Sequence, residues 1–243
     1  VSRRLLLTTT TGEPYQPVRL TYSVPNRSQA LRRIRRFRCI EIDDERGRAS
    51  VWLDDEARKL DLDPPPPAWE SFGQRILLGA ISFPNPRAMS LQVRSIPRAI
   101  ELAKMLRPAL DTALPLVRVR LVNRWFHPDE HTGELDELDR HLDRDVTVID
   151  WEKNAADLER ATAGCRTPEE CQRRAAEYRA KQPDIPMVED LPMHPEDEND
   201  RMSDLASTLH FRFARAARRW KGEDVTLNQV IDDFVRDHFS KPR

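Results

Sequence analysis

The sequence predicts an α+β fold: a mixed or antiparallel sheet with helices over residues 1–150, then a helical C-terminal region. Three observations lead there. Short alternating apolar–polar runs recur up to Ile149 and then stop. Two amphipathic helical stretches lie among them, each after a strand and a proline and each before another strand. Beyond Ile149 strand signals are absent, and the apolar spacing is helical on both sides of an acidic Pro-rich stretch.

The elements follow in order. Val18 to Val24 alternates and carries Tyr22, a strand that Pro25-Asn26 ends. Ser28 can cap a helix with Ala30, Leu31, Ile34 and Phe37 on its apolar side and Arg32, Arg33, Arg35 and Arg36 on the other. A hairpin comes next, from Cys39 to Ile42 and back from Ser50 to Leu53 around Asp44-Glu45-Arg46-Gly47. Pro64 to Pro67 is a stiff spacer. Ile76 to Phe83 and Met89 to Val93 read as strands. Pro97 suits the first position of a helix whose stripe is Ile96, Ile100, Ala103, Leu106 and Leu110. Leu116 to Val122 alternates with Arg118 and Arg120 and reads as a half-buried strand. Val146 to Ile149 is the last strand signal.

Residues 18–60 and 76–123 echo one another as a pseudo-repeat, which resembles two ferredoxin-like strand–helix–strand halves sharing a sheet. Residues 151–181 form a helical segment, with Thr167 and Glu170 as a capping box for its second helix. Residues 182–201, with Pro183, Pro186, Pro192, Pro195 and the run Glu196-Asp197-Glu198, read as an acidic Pro-rich linker. Residues 202–243 read as a helical hairpin: Ser203 to about Trp220, a stop at Gly222, then a helix capped by Thr226 and Gln229. The stripe Leu227, Val230, Ile231 and Phe234 needs a partner, so it is expected to seal a homodimer or a domain contact.

Charged residues are 33% of the chain, above the roughly 25% of an average globular protein, so much of its surface is solvated. No run approaches the roughly 18 apolar residues of a membrane span. Leu5-Leu6-Leu7 is too short for a signal-peptide core, and the expected location is the cytoplasm. Cys39, Cys165 and Cys171 are odd in number and show no C-x-x-C, which points to reduced thiols rather than a disulfide scaffold or structural zinc site. No Gly-rich phosphate loop and no G-x-S-x-G elbow is present, and no cofactor is expected. The five tryptophans are expected in the core.

His127-Pro128-Asp129-Glu130-His131 is the stretch with metal-ligand spacing. It resembles the H-x-x-E-H motif of inverzincin zinc peptidases. That resemblance implies zinc held by His127 and His131, with Glu130 polarising a water and a further Glu downstream, where Glu196 and Glu198 stand. The local sequence puts the motif in a loop after a strand ending near Phe126, before a helix capped by Thr132 and carrying Leu135, Leu138 and Leu142. His141 is near enough in sequence to join a metal site.

The net charge of −1 gives no global polyanion signal, but the charge is blocky. Residues 1–38 hold nine Arg and one acid, residues 41–63 nine acids and four bases, and residues 212–221 five bases and no acid. Such blocks suit pairing within the chain as well as nucleic-acid contact. The expected function is a non-catalytic binding protein, an accessory or regulatory subunit. Arg32, Arg33, Arg35, Arg36, Arg215, Arg218 and Arg219 would contact the phosphates of nucleic acid or the carboxylates of a protein partner. Two alternatives stand beside it. One is the zinc-dependent hydrolase. The other rests on the basic stretch Arg212–Lys221 followed by Thr226–Phe239, which resembles the helices of ribbon-helix-helix DNA-binding proteins. That resemblance implies a DNA-binding or dimerisation module with a short strand around Thr208–Phe213.

Overall fold

The structure is a computed structural model and describes residues 5–64, 75–110, 114–134, 136–193 and 201–239. Most of the spacer Pro64–Pro67, together with Trp69, Leu135 and Glu196-Asp197-Glu198, lies outside the described residues.

Eight strands form one mixed sheet. They are β1 (Val18–Ser23), β2 (Ile40–Asp43), β3 (Arg48–Trp52), β4 (Leu77–Asn85), β5 (Ala88–Val93), β6 (Leu116–Val122), β7 (Val146–Val148) and β8 (Val188–Pro192). Their order is β2-β3-β4-β5-β1-β6-β8-β7, antiparallel throughout except for the β7–β8 pair. Seven helices occur among the described residues: α1 (Arg27–Ile34), α2 (Ile96–Leu110), α3 (Glu137–Leu142), α4 (Trp151–Thr162), α5 (Pro168–Lys181), α6 (Arg201–Trp220) and α7 (Leu227–Phe239). The chain is of the α+β class.

Both strand–helix–strand units lie in this sheet, but they are not equivalent. Strands β1 and β2 are separated by β5, β4 and β3, whereas β5 and β6 are separated by β1 alone. Residues 182–201 are not simply a linker either. They contain β8, which is buried between β6 and β7.

Alternation along the strands sorts the two faces. Val18, Leu20 and Tyr22 of β1 point into the main core, with Ile81, Leu91, Val93, Val119 and Leu121 beside them. Helices α1, α2 and α6 cover that face through Ala30, Ile34, Leu102, Leu106, Leu205 and Leu209. The caps explain where helices begin. Asn26, not Ser28, caps α1 by accepting the Gln29 N–H at 2.8 Å. Ser95 Oγ accepts the Arg98 N–H at the start of α2, and Thr167 caps α5 as its sequence predicts.

The outer face carries a polar row: Gln92, Arg19, Arg120 and Asp190 in register. Arg19 opposite Arg120 is a like-charge pair, unfavourable by itself. Asp143, just after α3, resolves it. Arg19 Nη1 donates to Asp143 Oδ1 at 2.6 Å, and Arg120 donates to the same oxygen. The hydrogen bond from Arg19 holds the Asp143 carboxyl below the ordinary aspartate range. Arg19 and Gln92 also donate to Asp139 at 2.6 Å. These contacts seat α3 on the outer face over a second small core of Tyr15, Val122, Phe126, Leu142 and Val188.

The four described tryptophans are not among the buried residues of either core. Trp52, Trp125 and Trp220 are half-buried and Trp151 is 39% exposed. Trp52 instead lies on the outer face beneath the Arg75 guanidinium, 4.4 Å from its ring centre. The Trp52 Nε1–H is buried without a hydrogen-bond partner, so the indole contributes packing and this cation–π contact.

Candidate functional site

The chain leaves β6 at Val122, and Phe126 anchors it in the second core. Pro128–Glu130 then forms a single 3₁₀ turn. His127 caps that turn, its Nδ1 accepting the Asp129 N–H at 3.3 Å. The His127 N–H donates to Glu130 Oε2 at 2.8 Å, and Arg124 donates to Glu130 Oε1 at 2.5 Å. Burial pushes the Glu130 carboxyl up, but these two donors outweigh it and leave it below the usual glutamate range. His131 turns away to Glu137, Nδ1 to Oε2 at 2.6 Å.

The three motif residues therefore do not converge. Two histidines four apart share a face only on an α-helix, and here they flank one 3₁₀ turn. Among the described residues no group of three or more His, Cys, Asp or Glu is arranged to hold a metal ion. Thr132 does not cap a helix as the sequence suggested. Its N–H donates to Glu137 Oε1 at 3.0 Å, and α3 starts at Glu137 itself.

The structure brings together a different set. Glu137 is buried and accepts the N–H groups of Thr132 and Gly133, the latter at 3.2 Å. The same carboxylate faces His131 and, at 3.6 Å, His141 Nε2. The Tyr15 ring centre lies 5.7 Å from that of His131 and 6.3 Å from that of His141, and Phe126 packs on His141 at 4.6 Å. Burial raises the Glu137 carboxyl, but the Thr132 N–H and His131 together hold it below its ordinary range. Burial lowers the His141 imidazole despite the pull of Glu137. Burial, then the Glu137 charge, pushes the Tyr15 phenol up to about 12. The Glu137 carboxylate thus latches α3 to the preceding loop through Thr132, Gly133 and His131, while His141 Nε2, at 3.6 Å, is buried without a hydrogen-bond partner. Glu137-x-x-x-His141 has helical i,i+4 spacing and was the available sequence signal. Tyr15 gave none.

The seven arginines divide. Arg32 and Arg36 are exposed and pair with no acid among the described residues. Arg33 Nη1 donates to the Ala109 carbonyl at 2.9 Å, and Arg35 pairs with Asp44 at 2.8 Å. Since α1 ends at Ile34, the four do not share one helical face. Arg215, expected at a surface, is buried. It donates to both oxygens of Asp184 and, through Nη1, to the Asn123 carbonyl at 3.2 Å. Arg219 reaches Asp184 at 2.6 Å, and Arg218 reaches Glu223 at 2.6 Å and Asp233 at 2.7 Å. The basic block of α6 is thus neutralised by acids within the chain.

Of the C-terminal stripe, Leu227, Ile231 and Phe234 are half-buried. Val230 is buried, and Phe234 meets Phe211 of α6 edge to face at 5.3 Å. Thr226 and Gln229 form the expected capping box, Gln229 Oε1 accepting the Thr226 N–H at 2.8 Å. Thr208–Phe213, the ribbon position in ribbon-helix-helix proteins, lies inside α6. Where α2, α6 and α7 meet, a groove of about 500 Å³ opens. Ile96, Ile100, Phe211 and Phe234 line it, with Asp61, Glu101, Lys104 and His210 among its polar groups. Glu101 holds Lys104 at 2.6 Å and accepts the Asp61 N–H at 3.2 Å.

Fold and sites together define an α+β protein of one eight-stranded mixed sheet with a helix-lined groove. No family model matches the chain, and neither a curated protein nor a solved structure does. No helix among the described residues is long and apolar enough to cross a membrane.

Proposed function

We propose that this chain is a non-catalytic binding protein, an accessory or regulatory subunit, whose partner is a polypeptide that lays apolar side chains into the groove between α2, α6 and α7. The groove itself carries the reading: its volume falls in the usual range of ligand sites, and its walls are aliphatic and aromatic. Its polar groups are of both signs, Asp61 and Glu101 against Lys104. Mixed charge around an apolar floor suits a mixed-charge polypeptide better than a polyanion.

The arginines favour the same partner class. Binding through phosphates needs several cations that are not already neutralised. Of the seven arginines considered, Arg33, Arg35, Arg215, Arg218 and Arg219 are engaged within the chain.

The test compares three chains in partner capture from the native host: the wild type, Ile100→Glu in the groove, and Arg32→Ser with Arg36→Ser on α1. The reading expects one partner bound directly by the wild type and the arginine variant and lost with Ile100→Glu. Undiminished capture by Ile100→Glu overturns it. So does a salt-sensitive gel shift of DNA or RNA that the arginine variant abolishes.

A further inference from the structure

The sheet ends in β2 on one side and β7 on the other, and the two edges are built differently. An edge strand presents unpaired N–H and C=O groups, and charged side chains on it deter pairing with another chain. Strand β2, Ile-Glu-Ile-Asp, is guarded in this way: Arg75 reaches Glu41 at 2.7 Å and Arg46 reaches Asp43 at 3.7 Å. Strand β7, Val-Thr-Val, carries no charge, and valine and threonine favour strands. Thr147 and Val148 are exposed, Val148 at 57%, and Trp151 at the start of α4 is 39% exposed.

The parallel pairing with β8 decides which backbone groups of β7 are left over. The Ile149 N–H donates to the Asp190 carbonyl at 3.0 Å. Backbone groups of successive strand residues point to opposite sides, so Thr147 and Ile149 turn theirs to β8 while Val146 and Val148 turn theirs outward. Opposite charges flank the strand. Arg144, 84% exposed, pairs only with its neighbour Asp145, at 3.4 Å. Asp150 is exposed, accepts the Lys153 N–H at 2.9 Å and makes no ion pair among the described residues.

We propose that the β7 edge joins two copies of this chain, β7 of one pairing antiparallel with β7 of the other about a two-fold axis at Thr147. The segment is self-complementary about that residue. Val146 stands opposite Val148 of the second copy, and these are the residues whose backbone groups face outward, so they exchange both N–H···O=C bonds. Further out, Arg144 stands opposite Asp150 of the second copy, and the axis repeats that contact at the other end. A parallel arrangement would instead set Arg144 beside Arg144. The two-fold closes the contact on itself and continues the sheet across both copies. A foreign strand would gain the same backbone bonds but not the matched charges at both ends, so the occupant is a second copy. With only 3 residues in the strand, the dimer is weak and depends on concentration.

The test measures mass by sedimentation equilibrium over a concentration series for the full chain and for Thr147→Lys, Arg144→Glu and Asp150→Lys. The wild type is expected to pass reversibly from monomer to dimer. Thr147→Lys sets like charges side by side at the axis and should stay monomeric, with the thermal midpoint of the monomer unchanged because this side chain is exposed. Arg144→Glu and Asp150→Lys should each raise the dissociation constant by about tenfold. An equimolar mixture of these two should recover the wild-type affinity, since each mixed dimer has opposite charges at both ends. A wild type that is monomeric throughout overturns the proposal, as does a dimer that survives Thr147→Lys. A mixture that associates no more tightly than its components overturns the antiparallel register.

Discussion

Arg212 of α6 and Glu189 of β8 form a buried two-point ion pair, Nε to Oε2 at 2.6 Å and Nη2 to Oε1 at 3.1 Å. Both are almost closed to solvent, and Asn123 Nδ2 adds a third donor to Glu189 at 2.8 Å. The pair ties the C-terminal helices to the sheet. Removing one partner strands the other charge where water cannot reach it. Glu189→Ala should therefore cost about 3–5 kcal/mol, read as a lower urea midpoint. Replacing both, Glu189→Leu with Arg212→Met, should recover most of that loss.

The latch at Glu137 predicts a pH dependence whose sign is fixed. His141 titrates below its ordinary value of 6.5 in the fold, so the unfolded chain binds the proton first as pH falls. Stability from this group is intact above 6.5 and declines below it. Glu137 titrates below its ordinary 4.5, so its contribution is present above that value and is lost as pH falls through its lower folded value. The thermal midpoint should fall in two stages on acidification. His141→Gln should flatten the first stage and leave the second.

The arginines predict a contrast in stability. Arg215 is buried against Asp184 and the Asn123 carbonyl, and Arg215→Ala removes all three contacts. A loss of about 2–4 kcal/mol is expected, tempered by Arg219, which still faces Asp184. Arg32→Ser and Arg36→Ser change only exposed side chains and should stay within about 0.5 kcal/mol of wild type. Equilibrium urea unfolding of the three chains measures both.

For zinc, the geometry predicts no dependence on the H-x-x-E-H stretch. His127 and Glu130 are bound into the cap of a 3₁₀ turn and His131 faces Glu137. The double variant His127→Ala, His131→Ala should retain the same bound zinc as wild type after equilibration and desalting, measured by atomic emission.

Much of the sheet was legible because alternation is a local signal. Val18, Leu20 and Tyr22 announce β1, and Val119 and Leu121 do the same for β6. The capping boxes of α5 and α7 are local too. Strand β8 was not legible. Val-Glu-Asp-Leu-Pro carries two acids, which read as a solvated linker. Their burial becomes tolerable through Arg212 and Asn123 on Glu189, and Arg118 and Arg120 on Asp190 at 3.1 and 2.7 Å. Those partners are distant in sequence, so no local window contains the reason. The same holds for the Tyr15–Glu137 cluster and for the α6 arginines, whose block charge looked free until Asp184 was placed beside it.

Gly79 offers a test of packing within the sheet. It lies in β4, paired with Val51 of β3 and Val93 of β5. A Cβ there would stand 2.9 Å from the Gln92 carbonyl oxygen, 3.0 Å from Val93 Cγ1 and 3.2 Å from Leu91 Cδ1. The nearest of these is backbone and belongs to the adjacent strand, so it cannot rotate aside as a side chain would. Gly→Ala in a compatible strand gains up to about 1 kcal/mol by restricting the unfolded chain. Overpacking at this contact costs about 1–3 kcal/mol, and the clash should win. Gly79→Ala is expected to lower the urea midpoint with an unchanged m-value, since only the contact between β4 and β5 is strained. An unchanged or raised midpoint would mean that the two strands do not approach as closely as 2.9 Å implies.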